Sequence, residues 1–249
     1  MLIFSPLEQF SIVNFLQIDF LGFNISLTNS TLFLVFSIFV SYSLLYLCTY
    51  NPTIAPNNWQ YVAETLYKFV FDTSGAQNIK EIREYFPFIF TLFVFILTNN
   101  LIGMVPYTFT ITSHLFVTFT LGFTVWVGVT FVGFARHGLH FFSLFCPAGI
   151  PLVMVPALII IEIVSYVFRA ISISVRLFAN VMAGHALFAI LSGFGWAMVS
   201  TGILGCFGCF SIFAFLFAFT GLEIAIAFIQ AYIFTLLTCI YLKDSILLH

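Results

Sequence analysis

The sequence has 249 residues, of which 62% are hydrophobic and 6% are charged, with a formal net charge of −2. Soluble domains carry about 25% charged residues, so this composition excludes a soluble protein and predicts a chain that crosses a membrane several times. The sequence offers no basic face for nucleic acid and no glycine-rich phosphate-binding motif. We therefore expect one membrane domain over residues 1–249.

Hydrophobic blocks separated by polar turns predict an all-α integral membrane protein with about five membrane-embedded helices and one surface amphipathic helix. The predicted segments are an N-terminal tail at 1–30, a first span at 31–50, an interfacial helix at 55–72, a helical hairpin at 85–134 and a long apolar region at 151–242.

The long region contains two apolar blocks, at 151–191 and 203–242, joined by a predicted loop at 192–202. At ~1.5 Å per residue, each block would be about 60 Å long as a helix, against a hydrocarbon core of about 30 Å. Each block is therefore expected either to tilt strongly or to cross the membrane twice.

The basic residues indicate the orientation. With five crossings, one side of the membrane receives every basic residue outside the apolar blocks: Lys68, Lys80, Arg83, Arg136 and Lys243. The positive-inside rule makes that side the matrix or the cytoplasm. Seven crossings would also keep Lys243 inside, so the charges favour an odd number without choosing between five and seven.

The fourth block carries a stripe of polar residues. Glu162, Arg169 and Arg176 are seven residues apart, a spacing that drifts only about 20° on a helix, and Asn180 extends the stripe by one turn. His185 points to nearly the opposite side, so the helix is expected to border two separate wet spaces. An arginine at membrane depth costs about 2.5 kcal/mol or more and keeps its proton, so Arg176 needs an anionic partner or water.

The fifth block carries Glu223 and Gln230, also seven residues apart. If the two blocks pack antiparallel, this pair is expected to meet His185 and Arg176. Buried ionisable residues mark ion or proton paths, and glutamate, histidine and amides suit protons.

Each of these residues also has a structural alternative. His185, Asn180 and Gln230 can be interhelical hydrogen-bonding residues, and Glu162 can be a protonated helix acid. Arg169 can be a snorkelling charge or the partner of Glu162, and Arg176 can snorkel to an interface. Three histidines between the blocks are expected to face solvent: His114, His137 and His140. The five cysteines, including the CxxC pair Cys206 and Cys209, are expected to be packing residues, with no metal and no cofactor.

Several of these motifs together resemble one family. Arg176-Leu-Phe-Ala-Asn-Val-Met-Ala-Gly-His185 is similar to the signature of subunit a, the stator proton-channel subunit of F-type ATP synthase. The other matching segments are Glu162, 98–106, 221–223 and 230–234. The resemblance covers roughly residues 55–245.

This resemblance implies a mechanism. Subunit a would lie against a rotating ring of subunit c and provide two offset half-channels to the ring carboxylates, with Arg176 between them. His185 and Glu223 would line the outer half-channel, Glu162 the inner one, and Asn180 and Gln230 would be polar positions near the arginine. The last two blocks would form a long, steeply tilted hairpin, and residues 55–72 would lie along the matrix surface.

The implied partners are the c-ring, the peripheral stalk, other Fo subunits, lipid and the transported protons. The chain would be a non-catalytic subunit of the mitochondrial inner membrane, with the bacterial inner membrane as the alternative. Two other functions remain open from the residues alone. A self-contained transporter would need internal symmetry and broken helices, and an intramembrane redox enzyme would need haem, quinone or metal ligands.

Overall fold

The protein is predominantly helical in a computed structural model. The model describes residues 8–17, 19–20, 23–24, 26–50, 53–74, 80–105, 108–145, 154–199 and 202–247. In chain order, the α-helices in these ranges are α1 (Asn29–Thr49), α2 (Asn58–Thr73), α3 (Lys80–Gly103), α4 (Leu115–His137), α5 (Val155–Val199) and α6 (Ile203–Leu247). Within the described ranges, five helical segments are long and apolar enough to cross a membrane. The predicted all-α integral membrane class is confirmed.

The N-terminal tail has a structure that the sequence did not predict. A short 3-10 turn spans Glu8–Phe10. Two small hairpins follow, in which β1 (Asn14–Leu16) pairs with β4 (Leu27–Thr28) and β2 (Asp19–Phe20) pairs with β3 (Phe23–Asn24). The hairpins lead directly into α1, which begins at a capping box. These strands are too short to alter the fold class.

Helices α5 and α6 are unbroken over 45 residues each. A continuous helix has no point at which to reverse, so the alternative of two crossings within one block is wrong. At 1.5 Å per residue each helix is about 68 Å long, roughly twice the thickness of the hydrocarbon core, and it must therefore tilt steeply. The two helices pack against each other as a hairpin.

The predicted loop at 192–202 is also wrong for most of its length, because α5 continues to Val199. Gly193 and Gly195 resemble turn residues in the sequence, but Gly195 is buried where α5 faces α6. A Cβ at Gly195 would lie 3.5 Å from Ile212, and one at Gly208 would press on Met198. Small residues let two membrane helices approach closely, so these glycines favour packing here instead of a turn.

Helix α3 lies at the centre of the bundle, and 61% of its most apolar 18-residue stretch is buried. Small residues on α4 allow its close contacts: Gly122 lies against Ser174 of α5, and Gly133 lies against Phe141 and Ser245. Ser245 also donates a hydrogen bond of 3.0 Å to the carbonyl of Val129. The core therefore brings α3, α4, α5 and α6 together around a shared interior.

The helix ends that carry basic residues meet at one end of the bundle. Arg136, at the end of α4, lies 3.4 Å from Glu84 at the start of α3. His137 Nε2 lies 2.9 Å from the carbonyl oxygen of Ile246, near the end of α6. Lys243 and Arg83 are exposed at the same end, and the side chain of Lys80 lies outside the described residues. This arrangement agrees with the charge asymmetry that the sequence predicted for five crossings.

Two of the three histidines between the blocks are not solvent-facing, so that expectation is wrong for them. His137 is half-buried in the contact with α6. His114 is half-buried against Phe109, with ring centroids 5.1 Å apart, and burial lowers the pKa of its imidazole. His140 is exposed as expected. Cys209 is buried and outside any disulfide, whereas the Cys206 side chain lies outside the described residues.

Candidate functional site

Five of the six predicted site residues line one of two cavities, and Glu162 is not among the residues that line either of them. The first, which we name the outer cavity, lies toward the end of the bundle away from the basic residues and has a volume of about 220 Å³. Its polar side chains are those of Asn100, Asn180, His185, Glu223 and Gln230. The second, the inner cavity, lies toward the basic end and has a volume of about 350 Å³. Its polar side chains are those of Ser165, Arg169, Ser172, Arg176 and Tyr241.

The antiparallel packing of α5 and α6 explains which residues meet in the outer cavity. A step toward the C-terminus on α5 faces a step toward the N-terminus on α6. Asn180 therefore pairs with Gln230, while Gly184 and His185, about one turn further along α5, face Glu223 on α6. The sequence predicted that Glu223 and His185 would meet, and the structure places both in this cavity.

Gly184 makes room for the Glu223 carboxylate. A Cβ built at position 184 would clash with Oε1 of Glu223, so no larger side chain fits without displacing the acid. The carboxylate is half-buried between α5 and α6 and lines the cavity beside the half-buried His185. One titratable acid and one titratable base thus share a space that has room for several water molecules.

An amide pair borders the outer cavity on the side of Arg176. Asn180 Nδ2 donates a hydrogen bond of 2.9 Å to Oε1 of Gln230, and Gln230 is only 4% exposed. The sequence placed Asn180 on the Arg176 stripe and expected Gln230 near Arg176. In the structure both amides line the outer cavity, whereas Arg176 lines the inner one.

Asn100 of α3 lines the outer cavity, although the sequence did not predict it as a site residue. Its Nδ2 donates a long hydrogen bond of 3.4 Å to the carbonyl of Ala227, and the residue is 4% exposed. Its Oδ1 is buried and has no hydrogen-bond partner within the described ranges. A buried amide oxygen left without a partner is costly, and the adjoining cavity can supply water to it. The signal in the sequence was an amide within an otherwise apolar span.

The inner cavity is built around two arginines. Arg169 Nη2 lies 3.4 Å from Oε1 of Glu162, and its guanidinium lies 5.4 Å from the centre of the Tyr241 ring. Of the two alternatives that the sequence left for Arg169, the geometry favours pairing with Glu162. The two side chains are 31% and 36% exposed, so the pair contributes at most about 1 kcal/mol to stability.

Arg176 differs from Arg169 in having no such partner. It is exposed on the surface of α5 at the edge of the inner cavity. In the part of the chain that the structure describes, no acidic group forms an ion pair with it. Leu177, the next residue, is fully buried, so the helix presents Arg176 outward while its other face packs in the core. A permanent cation in this position is available to an anion on another molecule.

The comparisons with known proteins agree with the resemblance seen in the motifs. The sequence profile of the family described as ATP synthase A chain matches residues 30–243. The chain is 47% identical to ATP synthase subunit a of the liverwort Marchantia polymorpha, over 98% of this chain and 99% of that protein. Identity to the subunit a of Chondrus crispus is 47%, over 100% of this chain and 98% of that protein.

A fungal relative gives the same result. The subunit a of Trichophyton rubrum is 45% identical, over 99% of this chain and 98% of the relative. The similarity therefore includes the N-terminal residues, beyond the range of about 55–245 that the motifs covered. The chain belongs to the ATP synthase subunit a family, that of a proton-translocating membrane subunit.

Proposed function

We propose that this chain is the non-catalytic stator subunit that carries protons to and from the carboxylates of a rotating c-ring. The observation that carries the proposal is the separation of two polar cavities along one helix, with an exposed arginine at the edge of the inner cavity that faces the outer one and has no ion-pair partner among the described residues. The outer cavity would be the half-channel from the intermembrane side, and the inner cavity the half-channel to the matrix.

In the outer half-channel, His185 and Glu223 would pass protons toward the ring. Both side chains line the same cavity, which has room for water, so a proton can move between them through one or two water molecules. The Asn180–Gln230 pair would border the path on its inner side. An amide pair can hydrogen-bond water but does not take up a proton near neutral pH, so it would hold water without becoming charged.

In the inner half-channel, Glu162 would accept protons that leave the ring. The Arg169 guanidinium lines the inner cavity and lies 3.4 Å from the Glu162 carboxylate, so this contact would hold the acid next to the cavity. The serine hydroxyls at 165 and 172 and the Tyr241 hydroxyl would add hydrogen-bonding groups along the same wall. These groups lead from Arg176 toward the basic end of the bundle, which would face the matrix.

Arg176 would act on the ring carboxylate directly. A permanent cation attracts the ionised carboxylate and so favours loss of its proton beside the exit path. The same charge repels a proton moving straight from the outer to the inner cavity. Each proton that crosses the membrane releases ~2.3 kcal/mol per 100 mV, and the arginine would ensure that this energy turns the ring.

We infer that the chain lies in the mitochondrial inner membrane and not a bacterial one, because the relatives reported above come from plants, algae and fungi. Its partners would be the c-ring, the peripheral stalk, other Fo subunits and lipid. The exposed face of α5 around Arg176 is where the ring would pack, since that face is left uncovered by the chain's own helices.

Cysteine cross-linking tests the predicted contact with the ring. Ser172 and Ala179 are exposed about one turn to either side of Arg176, whereas Ser174 is fully buried. In a background without native cysteines, Ser172→Cys and Ala179→Cys should form disulfides with a cysteine placed one turn from the ring carboxylate. Ser174→Cys is the matched control and should not react. Absence of cross-links from both exposed positions in the assembled complex would contradict this proposal.

The Gly184 position supplies a second test. A Gly184→Val change would displace the Glu223 carboxylate, because the glycine leaves no room for a Cβ beside it. We expect proton-driven ATP synthesis to fall on the order of tenfold to a hundredfold, because small displacements of a proton-transfer group have large effects. Gly193→Val is the control, since nothing lies within 4 Å of a Cβ at that position. Equal rates for the two variants would show that the position of Glu223 does not matter.

A further inference from the structure

The N-terminal turn contacts His185, one of the residues that line the outer cavity, through one aromatic side chain. The ring of Phe10 meets the imidazole of His185 edge to face, with centroids 6.2 Å apart and planes at 70°. These residues are 175 positions apart in the sequence, and Phe10 is only 9% exposed. An edge-to-face contact of this kind fixes the relative orientation of the two rings.

Residues 11–17, the described stretch that follows Phe10, are not packed in this way. Ile12, Val13 and Phe15 are 55%, 53% and 63% exposed. Phe10 is therefore not one member of a general apolar core around the tail. It is an inserted side chain within a segment that otherwise lies on the surface.

Hydrogen bonds to Asn29 hold this segment against the start of α1. Asn29 Nδ2 donates to the carbonyl of Ser11 at 3.1 Å, and the backbone N–H of Val13 donates to Asn29 Oδ1 at 3.3 Å. The backbone N–H of Asn29 donates to the carbonyl of Val13 at 3.1 Å. Because Phe10 immediately precedes the clamped residues, the Asn29 clamp limits how far its ring can move from His185.

We propose that Phe10 is a positioning residue for His185. This inference rests on the proposed function, in which His185 relays protons. A relay histidine must present its ring nitrogens to the water path and not rotate away from it. The Phe10 ring restricts that rotation and excludes water from the covered face of the imidazole, so protons reach His185 from the cavity.

Substitutions at Phe10 test the proposal in the assembled ATP synthase. Phe10→Leu keeps apolar bulk but removes the ring, whereas Phe10→Tyr keeps the ring. We expect Phe10→Leu to reduce proton-driven ATP synthesis about two- to tenfold, the range that loss of one aromatic pair implies, and Phe10→Tyr to retain most of the rate. Phe15→Leu is the matched control from the exposed part of the segment and should match the unmodified protein. Rates are measured in membrane vesicles over a range of pH on the side that supplies protons, relative to the amount of assembled subunit.

A double substitution separates positioning from general packing. In a His185→Ala background, Phe10→Leu should produce no further loss, because a residue that acts through His185 has nothing left to position. An equal loss in both backgrounds, or an unchanged rate for Phe10→Leu alone, would overturn the proposal. If Phe10→Leu prevents assembly, Asn29→Ala loosens the same segment, and its effect should likewise disappear in the His185→Ala background. An effect that persists there overturns the proposal as well.

The same series distinguishes the two levels of inference. If His185→Ala itself leaves the rate unchanged, His185 is not part of the proton path, and the role of Phe10 fails with it. If His185→Ala slows synthesis while Phe10→Leu does not, only the positioning role is lost.

Discussion

Replacing Arg176 with alanine is expected to abolish proton-driven ATP synthesis while leaving ATP hydrolysis by the detached catalytic head. The side chain is exposed on α5 and has no acidic partner within the described chain, so its charge is free to act on the ring carboxylate. Loss of one preorganised charge of this kind lowers rates on the order of a hundredfold to a thousandfold. The measurement is ATP synthesis by reconstituted vesicles under an imposed proton gradient.

A lysine at position 176 should fall between the arginine and alanine proteins. Lysine keeps a positive charge but gives up its proton more readily in a low-dielectric environment, so it separates the two cavities less completely. Arg136→Gln is the control, because Arg136 lies at the end of the bundle beside Glu84. If Arg176→Ala complexes assemble and synthesise ATP at near the original rate, the rotary mechanism proposed here is wrong.

The second large effect is expected at the acid and base of the outer cavity. His185→Ala and Glu223→Gln should each slow proton uptake by on the order of a hundredfold, the lower end of the usual contribution of a positioned proton-transfer group. Because both side chains line one cavity, the double variant should be little worse than the more affected single variant. The rate of ATP synthesis is followed as the pH on the supply side is varied at constant membrane potential.

Two outcomes of that experiment would contradict this prediction. An unchanged rate at every pH for His185→Ala would remove His185 from the path. Strictly multiplicative losses in the double variant would indicate that His185 and Glu223 act at separate steps. His140→Ala, which changes an exposed histidine at the basic end, should have no effect and serves as the control.

Much of the candidate site followed from helical periodicity. The spacing of seven residues placed Glu162 and Arg169 on one face, and the structure brings them to 3.4 Å. Antiparallel packing of two long blocks was enough to bring Glu223 near His185. These inferences depend only on the geometry of one helix and on the direction of its neighbour, and both can be read from a single sequence.

Other features depend on information that periodicity does not contain. The partner of Gln230 is Asn180 and not Arg176, because the crossing angle and register of α5 and α6 select between adjacent turns. The predicted loop at 192–202 includes Gly193 and Gly195, but α5 continues through both, and Gly195 packs against Ile212 of α6. The local sequence pattern cannot predict which residues two packed helices bring together or whether a helix continues through a glycine.

The contact between Phe10 and His185 was beyond prediction for a different reason. It joins two residues that are 175 positions apart in the sequence, and the strands that set the path of the tail are only two or three residues each. Segments this short have no reliable hydrophobic period. Asn100 was overlooked because the adjacent amides Asn99 and Asn100 carry no helical spacing signal of their own.

The continuity of α5 sets the angular relation between inlet and outlet. Glu162, Arg176 and His185 all lie on this one continuous helix, so the directions in which they point around its axis depend only on the number of residues between them. Removing a single residue between Arg176 and His185 would rotate one site against the other by about 100°, whereas removing seven would nearly restore the facing but shorten the separation by ~10 Å. Insertions or deletions in this stretch during evolution would therefore have to involve about seven residues or be compensated on α6. The length of α5 between Arg176 and His185 would thus set the distance between the two proposed half-channels around the ring.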